Sequence, residues 1–239
     1  MRIVVLGLTL SSSWGNGHAT TYRALLRALA ERGHELLFLE RDKPWYAAAR
    51  DLTDPPYCRL AFYGELADLE PWRAEIAAAD LVIVGSYVPD GIAVGAWAIE
   101  AAAGTVAFYD IDTPVTLAAL AAGDCAYLNA ALLPRYDLYL SFTGGPTLGV
   151  LERRWGATRA RAFYCAVDPA LYRPTGAAES WDLGYLGTYS CDRQSTLERL
   201  LIEPARARPD RRFVVAGPQY PALIDWPANV ERIEHVAPA

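Results

Sequence analysis

Residues 7–29 read GLTLSSSWGNGHATTYRALLRAL and gather groups that bind and react. Ser11, Ser12 and Ser13 offer hydroxyls and Trp14 a stacking face. Gly15 and Gly17, on either side of Asn16, allow close backbone approach. His18 stands where a helix begins, among unpaired N–H groups suited to a negative or polar ligand. Its imidazole would serve as a base or a hydrogen-bond partner. A helix cap at Thr20 or Thr21 beside an incidental histidine explains the same residues without a ligand.

Three kinds of ligand compete for this loop. A Walker loop requires G-x-x-x-x-G-K-[ST], and the loop contains no lysine, which excludes it. A dinucleotide fingerprint requires G-x-G-x-x-G directly off the strand. Here Gly15-Asn16-Gly17-His18-Ala19-Thr20 has threonine at the third glycine and lies several residues beyond Gly7, although Glu40 stands where a ribose-binding acid would. The remaining reading is a long, mobile lid on the acceptor side of a site.

A second group lies in Phe108-Tyr109-Asp110-Ile111-Asp112-Thr113-Pro114. Alternation puts Asp110 and Asp112 on one side if the strand runs through them, and such a pair would hold one raised pKa. Alternatively Asp112 or Thr113 caps a helix that begins at Pro114. Ser86-Tyr87-Val88-Pro89-Asp90 and Thr143-Gly144-Gly145-Pro146 end their own strands at the same edge. Tyr87, Gly144 and Gly145 are therefore candidate ligand contacts, with tight turning an equal explanation for the glycines. His34 and His235 carry no functional signal. Cys58, Cys125, Cys165 and Cys191 have no C-x-x-C spacing, so buried free thiols in a reducing cytoplasm are expected, and no metal site.

These residues need a scaffold, and the chain alternates strands with helices. Strands are predicted at 2–7, 35–40, 58–63, 81–86, 105–110, 138–142 and 161–165, with helices at 20–32, 67–79, 91–103, 114–122 and 146–155. Near-continuous apolar strands such as LVIVGS imply burial on both faces, hence a mostly parallel, doubly wound α/β sheet. Every candidate above then falls at the carboxyl edge of that sheet, where such sheets bind ligands. The rhythm breaks at Val167-Asp168-Pro169-Ala170-Leu171-Tyr172-Arg173-Pro174 and the TGAAES stretch, a linker. It resumes with strands at 181–187, 212–217 and 229–235 and a helix at 192–206. So few elements are expected to leave Phe213-Val214-Val215 poorly covered.

The 239 residues are enough for two domains. Apolar residues make up 53%, yet no uninterrupted run reaches the roughly 18 residues of a membrane span. A net charge of −6 gives no nucleic-acid footprint. Oligomeric state leaves no mark on the sequence.

Taken together, GNGHATTYRALLRALAERGHE, YCAVDPALYRP and Leu183-Gly184-Tyr185-Leu186-Gly187-Thr188-Tyr189-Ser190 with Asp192-Arg193 resemble the GT-B glycosyltransferases. YCAVDPALYRP is similar to the domain-crossing segment of retaining members. The third stretch, with FYDIDTP, is most similar to the CgeB-like (spore maturation) branch. The resemblance implies two Rossmann-like domains facing each other across a cleft: a complete N-terminal domain at 1–167, a linker at 168–180 and a partial C-terminal domain at 181–239. It also implies transfer of a sugar from a nucleotide-diphosphate donor to an unknown acceptor, without metal or cofactor. On that reading Trp14, Gly15, Asn16, Gly17, Tyr87, Gly144 and Gly145 hold the acceptor, and His18, Asp110 and Asp112 do the chemistry. Gly187 and Thr188 would meet the diphosphate through backbone N–H groups, and Arg193 would clamp it. Arg193 as a plain surface residue stays open, although a cation in a first helical turn works against the dipole. The alternative is a truncated, non-catalytic binding module that lacks the donor site. An epimerase or oxidoreductase would need a bound dinucleotide, against which the loop argues.

Overall fold

In the computed structural model, residues 1–236 are described. They fall into two compact units: Met1–Ser12 with His18–Asp168, and Ser13–Gly17 with the chain from Pro169 on. Ala237-Pro238-Ala239, the end of the predicted second domain, lie outside the described residues.

The first unit contains β1 (Arg2–Gly7), α1 (His18–Ala30), β2 (Glu35–Arg41), α2 (Pro44–Ala47), β3 (Arg59–Tyr63), α3 (Arg73–Ala78), β4 (Leu81–Gly85), α4 (Gly91–Ala101), β5 (Thr105–Asp110), α5 (Thr113–Ala122), β6 (Leu138–Ser141), α6 (Pro146–Trp155) and β7 (Ala160–Ala162). Its seven strands are all parallel, in the order β3-β2-β1-β4-β5-β6-β7. Alternate residues of each strand feed opposite cores, as the period of two demands. Val4, Leu6, Val82, Val84, Val106 and Phe108 pack on one face, with Ile76, Val94 and Ala98 of the helices above them. Ile3, Val5, Ile83, Ala107 and Tyr109 pack on the other, with Tyr22 and Leu26 of α1. This is the doubly wound sheet that the apolar strands predict, and its order reverses between β1 and β4.

The predicted helix at 67–79 is instead a 3₁₀ segment, Leu66–Trp72, followed by α3. Pro71 has no N–H to give, and its ring opposes the carbonyl four residues back, so the α-ladder cannot start until the proline is passed. Asp68 fixes the start of the segment by accepting from the N–H groups of Gly64 and Glu65, both at 2.9 Å.

The second unit contains β8 (Leu183–Leu186), α7 (Cys191–Leu197), a π turn (Glu198–Ile202), α8 (Glu203–Ala207), β9 (Phe213–Ala216) and β10 (Val230–Ile233). Its three strands are parallel, in the order β10-β9-β8. The predicted helix at 192–206 forms as α7, the π turn and α8 in succession. The wider turn lies just before Pro204, which cannot complete a regular α-ladder. Contrary to expectation, Phe213 and Val215 are covered, packing on Leu197, Leu201, Ile202 and Ala205. Exposed apolar side chains lie elsewhere, at Leu186 of the edge strand, Leu200 of the π turn and Leu223 between β9 and β10. Arg232 closes the far end of this sheet. It donates to the carbonyls of Val215 (2.6 Å) and Gly217 (3.1 Å) and stacks on Tyr220 and Trp226.

Candidate functional site

The site is built where the strand order reverses, from the segments that leave β1, β4 and β5. The first half of the loop after β1 is pinned. The carboxylate of Glu40, fully buried at the end of β2, accepts from the backbone N–H groups of Leu10 (2.6 Å) and Ser11 (2.9 Å). It also accepts from the hydroxyls of Ser11 (2.6 Å) and Thr9 (3.1 Å). Ser12 donates its hydroxyl to the carbonyl of Ala49 at 2.8 Å. Arg23 of α1 donates to the carbonyl of Leu10 and pairs with Asp51. Residues 9–12 are therefore a buried strap, not part of a mobile lid, and Ser11 and Ser12 spend their hydroxyls inside the protein. Glu40 is likewise consumed by the loop and is not free to meet a ribose.

Trp14, Gly15, Asn16 and Gly17 belong with the second unit. Asn16 donates to the carbonyl of Trp14 at 3.0 Å. Gly15 has φ +69°, a conformation that costs an L-residue about 1–2 kcal/mol, whereas a Cβ on exposed Gly17 would meet nothing within 4 Å. Gly15→Ala is expected to lower stability by about that amount, and Gly17→Ala to leave it unchanged in a denaturant titration.

His18 opens α1, half-buried, with its ring edge-on to Tyr87 at 5.5 Å between centroids. Its Nδ1 is buried without a hydrogen-bond partner. Burial pulls the imidazole pKa down to about 4, so the ring is neutral at pH 7 and keeps a lone pair. The hydroxyl of Tyr22, one turn along α1, is also buried and unpartnered. It reaches the switch point because position 85 lacks a side chain: a Cβ there would lie 2.1 Å from that oxygen. Tyr87, at φ +62°, donates its hydroxyl to the carboxylate of Asp112 at 3.0 Å. His18, Tyr87 and Asp112, all named from the sequence, are thus brought together. Asp112 takes the N-cap position of α5, yet its side chain makes no cap bond and faces Tyr87.

Asp110 does not share that exposure. The strand ends at Asp110, so alternation does not carry through to Asp112, and the Asp110 carboxylate is fully buried. It accepts from Tyr139 (2.5 Å), Thr116 (2.8 Å) and the N–H of Asp112 (3.0 Å). Burial raises its pKa against the opposing pull of those donors. Thr116, whose proton goes to Asp110, accepts in turn from Tyr127 at 2.8 Å. Asp110 is therefore a positioning residue in this structure, one that holds Asp112 and the start of α5. Thr116, Tyr127 and Tyr139 escape sequence reasoning because only the folded chain brings them to it.

The remaining candidates stand apart. Gly145, at φ +66°, turns the chain into α6, and Gly144 makes room for the hydroxyl of Tyr164, so turning accounts for the first and packing for the second. In the second unit the N–H of Gly187 donates to the carbonyl of Ala216 at 2.9 Å and is not offered to a diphosphate. Thr188 is half-buried and Arg193 exposed, in the first turn of α7. All four cysteines are free, but Cys165 and Cys191 are exposed, so burial of the thiols is not general. Among the described residues no three His, Cys, Asp or Glu side chains converge as a metal centre would, and no helix is long and apolar enough to cross a membrane.

No protein-family model and no curated protein matches the sequence. Solved structures do match in fold. An alpha-glucosyltransferase in complex with UDP-glucose and DNA containing an abasic site superposes with a TM-score of 0.65 at 13% identity, covering 100% of this chain and 68% of its own. A structure described as trehalose-6-phosphate from E. coli bound with UDP-2-fluoro glucose gives 0.57 at 12%, covering 99% and 74%. UDP-GlcNAc 2-epimerase from Methanocaldococcus jannaschii gives 0.53 at 12%, with the same coverage. The chain thus has an α/β fold like that of GT-B glycosyltransferases.

Proposed function

We propose that this protein transfers a sugar from a nucleotide-diphosphate sugar to a hydroxyl acceptor without a metal ion, with the acceptor held by the first unit. A neutral imidazole carries the reading: His18 has a buried, unpartnered Nδ1 beside the Tyr87–Asp112 pair at the switch point. In the proposed step His18 takes the acceptor proton as the acceptor oxygen bonds to the anomeric carbon. The bond from that carbon to the diphosphate oxygen breaks, and the nucleoside diphosphate leaves with the electron pair. Thr188 and Arg193 are the candidates to meet the departing charge. The fold alone does not select this chemistry, since an epimerase shares it; the neutral imidazole at the switch point is what supports transfer. The alpha-glucosyltransferase neighbour was solved with DNA, but a net charge of −6 gives this chain no surplus for neutralising phosphates, so a small-molecule acceptor fits better. FYDIDTP and LGYLGTYS with Asp192-Arg193 are what support a place in the CgeB-like branch.

A second reading, a non-catalytic module that binds the acceptor only, is favoured by one observation: the Gly187 N–H is already spent on Ala216. Calorimetric titration with UDP-, GDP- and dTDP-sugars in EDTA separates the two. The transferase reading expects saturable binding of one of them, and binding of none sinks it.

A further inference from the structure

A cavity of about 350 Å³ opens beside Tyr87, walled by Val88, Val115, Ala119, Cys125 and Tyr127. Asp90 and Asp124 stand at its rim, and no cation lines it. Its volume falls in the range of small-ligand pockets, which run from about 300 to 1,000 Å³. We infer that this cavity holds the far end of the acceptor, and that the acceptor is an uncharged compound with a flat apolar group one ring removed from its reacting hydroxyl. The inference rests on the transferase reading, and it names the acceptor's chemical class.

Three observations carry it. Tyr87 and Tyr127, at 4.7 Å between ring centroids, give the cavity an aromatic wall on which a flat group would stack. Tyr87 is also the ring against which His18 packs, so a molecule seated here reaches the imidazole only by extending past one tyrosine. The wall is held rigidly, since Tyr87 is bonded to Asp112 and Tyr127 through Thr116 to Asp110. The rim then sets the charge. Asp90 is partly compensated by Arg41 at 2.9 Å, but Asp124 is exposed and has no cation beside it in the lining. An anionic group would enter an apolar cavity whose lining holds two carboxylates and no cation.

Three probes test this on the intact protein: 4-phenylphenol, the same molecule bearing a carboxylate on its distal ring, and phenol. Binding of 4-phenylphenol is expected to be about tenfold tighter than that of the carboxylate, with phenol too short to register. Ala119→Trp, which fills the cavity from α5, should weaken 4-phenylphenol at least tenfold. Val115→Arg, at a position 50% exposed and so tolerant of the change, should reverse the preference between the two long probes. Equal binding of the neutral and anionic probes, or indifference to Ala119→Trp with the fold intact by circular dichroism, overturns the inference. Nucleotide-sugar binding is read on the same samples. Its loss with phenylphenol binding kept would sink the transferase reading alone, and the converse would sink the cavity assignment alone.

Discussion

His18→Gln is expected to lower kcat for sugar transfer by 10²–10⁴-fold while leaving the KM for the donor unchanged, because the side chain acts only as the acceptor proton moves. A glutamine keeps the hydrogen-bonding capacity and much of the bulk but cannot take up a proton. The acid limb of the wild-type kcat/KM profile should lie near pH 4, where His18 protonates, and not near the ordinary histidine value of 6.5. The same shift has a consequence for stability. The folded-state pKa lies below the unfolded one, so the stability tied to the neutral ring is complete above pH 6.5 and is lost as pH falls towards 4. The shift from 6.5 to about 4 puts that loss at about 3 kcal/mol. His18→Gln should lack that part of the acid destabilisation in urea titrations run across the same window. Tyr87→Phe, which removes only the bond to Asp112, should cost less activity and leave the limb in place.

Asp110→Ala is expected to destabilise the first unit by about 3 kcal/mol, the largest structural effect of a single substitution at the site. The buried hydroxyls of Tyr139 and Thr116 and the part-buried Asp112 N–H would lose their acceptor at once, and each orphaned group costs about 1–3 kcal/mol unless it finds another partner. Asp110→Asn keeps one carbonyl oxygen for Thr116 and the Asp112 N–H, and presents an amide to a tyrosine hydroxyl that can accept. Its cost should stay near 1 kcal/mol. The pH response separates the two roles of the residue. Burial raises the Asp110 pKa, so folding favours the protonated acid, and its contribution declines as pH rises from the ordinary carboxylate range through the raised value. Asp110→Asn removes that slope. Loss of transfer without loss of stability in Asp110→Asn would instead make Asp110 a direct participant.

Much of the scaffold is readable from the chain because parallel strands buried on both faces announce themselves. Thr105–Asp110 and Pro146–Trp155 form with the bounds that their apolar pattern and flanking turns predict. The misreadings cluster at prolines, since Pro71 and Pro204 sit in otherwise helical spacing and reshape the ladder locally. At the site, residues just past a strand end or at a helix start are legible by position alone, as Tyr87, Asp112 and His18 are. What a polar side chain does once there is not legible. Three serines in a row look like ligand donors, but Glu40, some 30 positions away, claims Ser11, and Ala49 claims Ser12. Asp110 and Asp112 look like a matched pair until the strand stops between them. Tyr139 lies 29 residues from Asp110, and no periodicity links such partners.

The central claim is met most directly by the mass of the acceptor after incubation. The intact protein is mixed with the nucleotide-diphosphate sugar that binds it, 4-phenylphenol and EDTA, beside a His18→Gln control. The account predicts an acceptor heavier by one glycosyl residue, with an equal amount of nucleoside diphosphate released, and neither in the control. Donor bound but never consumed, or product formed equally by His18→Gln, would contradict it.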